Sequence, residues 1–212
     1  YYLDDKAIDG KVKSVLNSYA IPDRVYEEYE NEKQKRKLEG NKEEVEFIIN
    51  EEDKIYTDTI LLIDTGKRLD TILNSINKNN TEGRSYQIIG LSKWDNENIF
   101  SNSNLIGAWF VAPDQEKYLN FEKRFFEVYS YYPIRWGSLG YDALNAVRDI
   151  YKETKDYNFT RDQITQQKGF DGIDGRFRFL PNGIVERQMS VYEIEDGYPE
   201  ELNKAPDKFL EY

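Results

Sequence analysis

Short apolar runs alternate with a helical repeat in the middle of the chain, and this alternation most constrains the fold. Residues 59–63 (TILLI) lie between Asp58 and Asp64, a pattern typical of a strand buried on both faces. Residues 86–90 and 105–111 have the same character. Between the first two runs, apolar residues recur at helical spacing at Leu69, Ile72, Leu73 and Ile76. This order predicts an α/β fold with an open, mostly parallel sheet in three layers (αβα) and right-handed crossovers.

The flanking segments predict more helices and one hairpin. Residues 12–19 fit one helical face that ends at Ile21-Pro22. Residues 26–46 predict a solvated helix held by i,i+4 ion pairs, with a partner-binding arm as the alternative. Two later helices are expected around 121–129 and over 138–153, the second with Leu139, Ala143, Ala146, Val147 and Ile150 inward. Residues 181–183 (PNG) predict the turn of a β-hairpin between 177–179 and 184–194, before an acidic tail.

Charge and composition exclude several classes of function. The chain has 29 Lys and Arg against 40 Asp and Glu, a formal net charge of −11, which disfavours nucleic acid and anionic lipid as partners. It has no His and no Cys, so Ser-His-Asp and Cys-His catalysis, disulfides and Cys/His zinc sites are excluded within it. No apolar run approaches the ~20 residues of a membrane span. The composition therefore favours a binding or regulatory protein over an enzyme, with no cofactor and no metal.

The carboxyl ends of the first two predicted strands carry the candidate ligand-binding residues. These are Asp64, Thr65 and Gly66 after the first strand and Ser92, Lys93 and Trp94 after the second. Ligands of open α/β sheets bind outside these strand ends, and a helix that begins after Gly66 would favour a carboxylate there. The indole of Trp94 offers a stacking surface. The alternative is that both segments are ordinary turns and that Trp94 is a packed lid.

Two other chemistries have weaker support in the residues. The segment Asp171-Gly-Ile-Asp174-Gly175 has some features of a calcium loop, but it lacks the spacing and the distal Glu of an EF-hand, and an Asp-Gly pair is usually a turn. A hydrolase would need two carboxylates held together. Nothing in the sequence places such a pair, so no catalytic residue is assigned.

Six segments in order resemble the type I periplasmic binding proteins, the leucine-binding-protein-like group. They are residues 59–66, 86–96, 105–114 (LIGAWFVAPD), 121–133 (FEKRFFEVYSYYP), 135–147 (RWGSLGYDALNAV) and 169–194 (GFDGIDGRFRFLPNGIVERQMSVYEI). Within these segments, more specific sequence motifs resemble those of the penicillin-binding protein activator lipoproteins of the alphaproteobacterial type. Gly90 with Trp94, the GAWFVAP segment, GFDGIDGRFRF and Glu186-Arg187 carry this closer similarity.

The resemblance implies a non-enzymatic periplasmic protein that regulates peptidoglycan synthesis. Its partner would be a peptidoglycan synthase or a small molecule, either an amino acid or a cell-wall fragment. The membrane would be reached only through a lipid anchor upstream, as in an outer-membrane lipoprotein. The chain begins at Tyr1 without a leader segment, and the opening of the family's first lobe is missing. A mature or truncated product is therefore expected.

By position, the resemblance divides the chain into a partial second lobe (1–112), first-lobe helices (113–168), and a closing β-hairpin with its tail (169–212). It also places the ligand loops of the second lobe on the two segments named above. The acid that holds an amino group in amino-acid receptors is not evident in the second loop, where Lys93 stands. The competing hypothesis is a substrate-binding protein of a branched-chain-type amino-acid ABC importer, which the same fold would support.

Overall fold

A computed structural model of the protein describes residues 5–40, 45–157 and 159–209. The chain divides into two compact units, Tyr1–Ile88 and Ile89–Tyr212. The first contains α1 (Asp5–Leu16), β1 (Tyr19–Ala20), α2 (Asp23–Leu38), β2 (Ile55–Tyr56), β3 (Thr59–Leu61) and α3 (Gly66–Asn79). Strand β4 (Gln87–Gly90) spans the boundary. The second unit continues with α4 (Glu97–Phe100), β5 (Trp109–Ala112), α5 (Gln115–Tyr129), α6 (Gly137–Thr154), α7 (Arg161–Ile164), β6 (Phe177–Phe179), β7 (Val185–Arg187), β8 (Ser190–Ile194) and β9 (Pro199–Asn203).

In the first unit, helix α1 packs against helix α3 through a polar cluster. Asp9 on α1 accepts hydrogen bonds from the Ser75 hydroxyl at 2.7 Å and the Asn79 amide at 2.9 Å, and its carboxylate lies 3.0 Å from the Lys78 ammonium. These three partners lower the pKa of Asp9 to about 2, the Ser75 bond contributing most. The carboxylate is therefore charged at neutral pH and ties the two helices together.

Strand β3 differs from its predicted environment. Ile60 and Leu62 are buried, but Leu61 and Ile63 are 61% and 63% exposed, so the prediction of burial on both faces is wrong. An apolar run shows that both faces of a strand could be buried. Whether both are buried depends on which other segments pack against them.

Helix α2 is largely exposed to solvent and carries surface ion pairs, as predicted. It ends at Leu38, and its surface pairs Arg36 with Glu32 at 3.0 Å and Lys33 with Glu30 at 3.3 Å. The predicted range extended to residue 46. Within it, residues 41–44 lie outside the described residues, and 45–46 are not helical.

The second unit is built on a mixed sheet. β4 pairs with β5 in parallel, with Ile89 opposite Trp109, and β5 pairs with β8 antiparallel, with Phe110 opposite Tyr192. β9 then pairs antiparallel with β8. Phe110, Leu105 and Ile194 are fully buried and form the core beside this sheet. The α/β class and the parallel pairing of consecutive strands confirm the predicted fold class.

The predicted hairpin forms, but only its first part. β6 and β7 pair antiparallel around a turn in which the Leu180 amide donates to the Ile184 carbonyl at 2.8 Å and Gly183 has φ +85°. Residues 190–194 leave the hairpin and join the sheet as β8. The acidic tail contains a strand, β9, that its polar sequence does not indicate.

Helix α6 buries a different side from the predicted one. Ala146 and Ile150 are buried as expected, and they share that side with Ser138 and Asp142. Leu139, Ala143 and Val147 are exposed instead, which corrects the predicted inward set. Two polar residues face inward because the hairpin segment supplies charged partners for them, which helical spacing alone does not reveal. Within the described ranges, no helix combines the length and apolar character needed to cross a bilayer.

Candidate functional site

The first candidate loop lies at the start of α3 in the first unit. Thr65 is the N-cap residue, and its side chain makes no capping hydrogen bond. Gly66 has φ +61°, a conformation that favours glycine. The first turn of α3 has no acidic residue and contains Lys67 and Arg68. Thr65 and Gly66 are exposed, so this helix start presents a positive end to solvent, as the sequence predicts.

The carboxylate of Asp64 partly offsets the positive charge at the start of α3. Its half-buried carboxylate lies 3.5 Å from the Arg68 guanidinium, one turn along the helix. A ligand carboxylate approaching α3 would therefore compete with Asp64 for Arg68. The loop has the donors that an anion or a hydroxyl would need, and its own ion pair would compete with such a ligand.

The second candidate loop, in the second unit, forms a short 3-10 helix over Ser92–Trp94. Ser92 and Lys93 are exposed. Trp94 is 0% exposed, and its ring packs against the backbone at Gly90, the last residue of β4. A Cβ built at Gly90 would overlap the indole, with Cε2 at 2.6 Å. This burial favours the packed-lid alternative for Trp94 and removes the indole as a stacking surface.

The structure also identifies an acid that the sequence analysis passed over in the second loop. Asp95 follows Trp94 directly, is half-buried, and accepts a hydrogen bond from the Gln115 amide at the start of α5 at 2.6 Å. Burial raises the pKa of Asp95, and the Gln115 bond opposes this shift. The signal in the sequence was its position beside Trp94. Because its carboxylate is engaged with α5, Asp95 is a positioned group rather than a freely exposed one.

The predicted site residues thus have three different environments. Asp64, Thr65 and Gly66 are together at the start of α3, Ser92 and Lys93 are at the surface of the second unit, and Trp94 lies in its core. That the two loops contact one ligand stays a prediction.

The segment considered as a calcium loop binds arginines instead. Asp174 is buried and accepts hydrogen bonds from Arg135 at 2.9 Å and the Ser138 hydroxyl at 2.6 Å. Asp171 pairs with Arg176 at 2.8 Å. In the part of the chain that the structure describes, no group of three His, Cys, Asp or Glu side chains is placed to hold a metal ion. The segment therefore attaches the chain after α7 to the start of α6.

A second buried carboxylate completes this attachment. Asp142 is 1% exposed, accepts a hydrogen bond from the Ile173 amide at 2.6 Å, and pairs with Arg187 of β7 at 3.1 Å. Burial raises the pKa of Asp142, and the Ile173 and Arg187 contacts oppose that shift. A Cβ at Gly172 would lie 2.8 Å from the Asp142 carboxyl carbon, so glycine is needed for the backbone to approach. These contacts make Asp142 structural.

No family model matches the chain, and a search of curated proteins finds no match. Solved structures do match. A protein assigned as a branched-chain amino acid ABC transporter from Rhodospirillum rubrum has a TM-score of 0.50 and 14% identity, over 62% of this chain and 40% of that chain. The structure is similar to part of a type I periplasmic binding fold. This confirms the fold that the resemblance implied, and at this identity the similarity concerns the fold alone.

Two further solved structures match at lower scores. The substrate-binding protein LivJ from Streptococcus pneumoniae, in complex with isoleucine, has a TM-score of 0.43 and 17% identity, over 70% of this chain and 45% of that chain. The C-domain of LpoA from Haemophilus influenzae, a regulator of PBP1A, has a TM-score of 0.45 and 17% identity, over 69% of this chain and 45% of that chain. The chain spans less than half the length of each of these three proteins.

Proposed function

We propose that the chain is part of a non-enzymatic periplasmic protein of the penicillin-binding protein activator type, which regulates peptidoglycan synthesis by binding a synthase. In this proposal residues 1–112 belong to the second lobe, 113–168 to first-lobe helices, and 169–212 to the closing hairpin and tail. An outer-membrane lipid anchor upstream would hold the complete protein in the periplasm.

The observation that carries the proposal is the complete burial of Trp94. In a receptor that closes on a small ligand, the strand-end loops must present side chains that grip it. Here the large aromatic residue of the second loop is packed under Gly90, which leaves Ser92 and Lys93 as the exposed side chains of this short 3-10 turn. Such a surface suits contact with a protein partner better than enclosure of a ligand. The more specific sequence motifs, which resemble those of the activator lipoproteins, support the same proposal.

We assign Asp64, Thr65, Gly66, Ser92 and Lys93 as contact residues, each within its own loop. Trp94 is the anchor that holds the second loop, and its substitution would act through folding. For that reason Trp94→Ala is a poor test of binding, and exposed residues are needed instead.

The direct test is binding of the 212-residue chain to a purified peptidoglycan synthase, measured by biolayer interferometry. Lys93→Glu should weaken binding about tenfold or more because it reverses a charge at the contact. Lys204→Glu is the matched control, since Lys204 is also an exposed lysine of the second unit but lies outside the loop. Binding that is absent, or that both variants weaken equally, would reject the proposal.

One observation favours the second candidate, a substrate-binding protein of an amino-acid importer. Asp95 supplies an acid in the second loop that could hold an amino group, and the start of α3 could hold a carboxylate. Calorimetry against free amino acids and muropeptides separates the two functions. Tight binding of an amino acid that Asp95→Asn abolishes would establish the importer function and exclude the regulator.

A further inference from the structure

Helix α6 has apolar residues on two sides, and only one of them is covered. Its buried side carries Ala146 and Ile150. A second arc of the helix, about a third of its circumference by helical spacing, exposes apolar side chains to solvent. Trp136 and Leu144 are each 72% exposed, Val147 is 46% exposed and Leu139 is 39% exposed. Gly140 and Ala143 lie between them and are also exposed. A helix apolar over this much of its surface is typical of one packed on both sides.

We propose that this arc binds the same arc of a second copy of the chain, as an antiparallel pair of α6 helices related by a two-fold axis. From the exposed fractions, the arc presents on the order of 500 Å² of apolar surface, comparable to the largest patch of a typical monomer. Two copies would bury roughly 1,000 Å², near the lower limit for a specific interface. A reversible dimer is therefore expected.

The arc is complementary to itself, which is what a two-fold interface requires. With the axis between Ala143 and Leu144, these two residues face each other across the interface. Gly140 then faces Val147 of the other copy, and Trp136 faces Tyr151. In the first two pairs a larger side chain is opposite a smaller one, as in a well-packed core, and the third pair places two aromatic rings opposite each other. The space above Gly140 is open, since a Cβ there would meet no atom within 4 Å. Val147 of the second copy can enter that space.

Charge also favours a second copy at this surface. Residues 115–154, which include α5 and α6, carry six Lys and Arg and six Asp and Glu, whereas the whole chain has a net charge of −11. Two acidic molecules repel each other over most approaches, and they do so less through a neutral segment than through an acidic one. The electrostatic cost of self-association at the apolar arc is therefore lower than the net charge of the whole chain would suggest.

Sedimentation equilibrium of the 212-residue chain, at about 1 to 100 µM, tests the proposal. The expected result is a monomer–dimer equilibrium. Gly140→Gln fills the space opposite Val147 and should weaken the dimer about tenfold or more without harming the fold, because the position is open and helical. Leu144→Gln removes the central contact and should do the same.

Gly10→Gln is the matched control. Gly10 is also a helical glycine with no atom within 4 Å of a built Cβ, and it lies in α1. Its substitution should leave the dimer unchanged. Circular dichroism spectra of all variants should match the wild type, so that a loss of dimer reports on the interface. A monomer at every concentration, or a dimer that persists in both α6 variants, overturns the proposal.

Discussion

The packing of Trp94 under Gly90 predicts that even one methyl group at position 90 destabilises the protein. A Cβ at Gly90 would lie within 2.6 Å of three indole carbons, where ordinary carbon contacts are about 3.5–4.0 Å. Gly90 does not have a positive φ, so a change to Ala introduces overlap rather than backbone strain. Because Trp94 is 0% exposed, its ring is enclosed by protein and cannot turn out into solvent without unpacking its neighbours.

The expected magnitude follows from this overlap. Overpacking in a core costs about 1–3 kcal/mol, and Gly90→Ala should fall at the upper end, about 3 kcal/mol, because three ring atoms overlap at once. Trp94→Leu should itself cost about 2–4 kcal/mol through lost burial and a residual cavity. In that background the methyl group added by Gly90→Ala occupies vacated space, and its cost should fall below about 1 kcal/mol.

The assay is a double-mutant cycle by urea unfolding, followed by far-UV circular dichroism. A coupling free energy of about 2 kcal/mol between positions 90 and 94 is expected. Gly10→Ala serves as the control, because its site in α1 is open and the change should stabilise by about 0.5–1 kcal/mol. If Gly90→Ala costs the same in both backgrounds, contact with the indole is not the reason for glycine at this position.

Three further predictions concern attachments within each unit. Asp9 has its pKa lowered to about 2, so its stabilisation is complete above pH ~3.8 and is lost as the pH falls towards 2. In urea unfolding measured between pH ~2.5 and ~7, the free energy of unfolding of Asp9→Asn should fall less towards acid pH than that of the wild type, and it should be lower at neutral pH. Asp174→Ala should cost about 1–3 kcal/mol in urea unfolding, since Arg135 is half-exposed and regains solvent; a loss near zero would contradict the role of this pair. Gly169→Ala should lower the midpoint of thermal unfolding by several degrees, because Gly169 has φ +62° and a built Cβ lies 3.0 Å from the Phe177 carbonyl carbon.

Local features of the fold followed from the sequence. The helix after residue 66, the turn at residues 181–183 and the solvated helix α2 each depend on residues close together in the chain. Their periodicity, cap and turn residues act over a few positions, so the sequence alone is sufficient. The resemblance to periplasmic binding proteins extended the prediction from local elements to the fold, because it rests on six segments in order.

The candidate site was only partly predictable. The sequence placed Thr65 and Gly66 correctly at an exposed helix start. It could not decide between an exposed and a buried Trp94, because that choice depends on the space above Gly90. It also passed over Asp95, whose burial and partner come from α5, twenty positions away. Side-chain environment at these positions is set by segments that are distant along the chain.

The sequence by itself determined the α/β class, the strand and helix segments, and the exclusion of His- and Cys-based chemistry. Only the tertiary structure decided which side of α6 is buried, that Asp142 and Asp174 are held by arginines, and that Trp94 is a core residue. The physical reason is that periodicity identifies residues able to be buried, whereas burial itself requires a partner surface. On α6 the charged partners cover Ser138 and Asp142, and the apolar arc around Leu144 is left for another surface to cover.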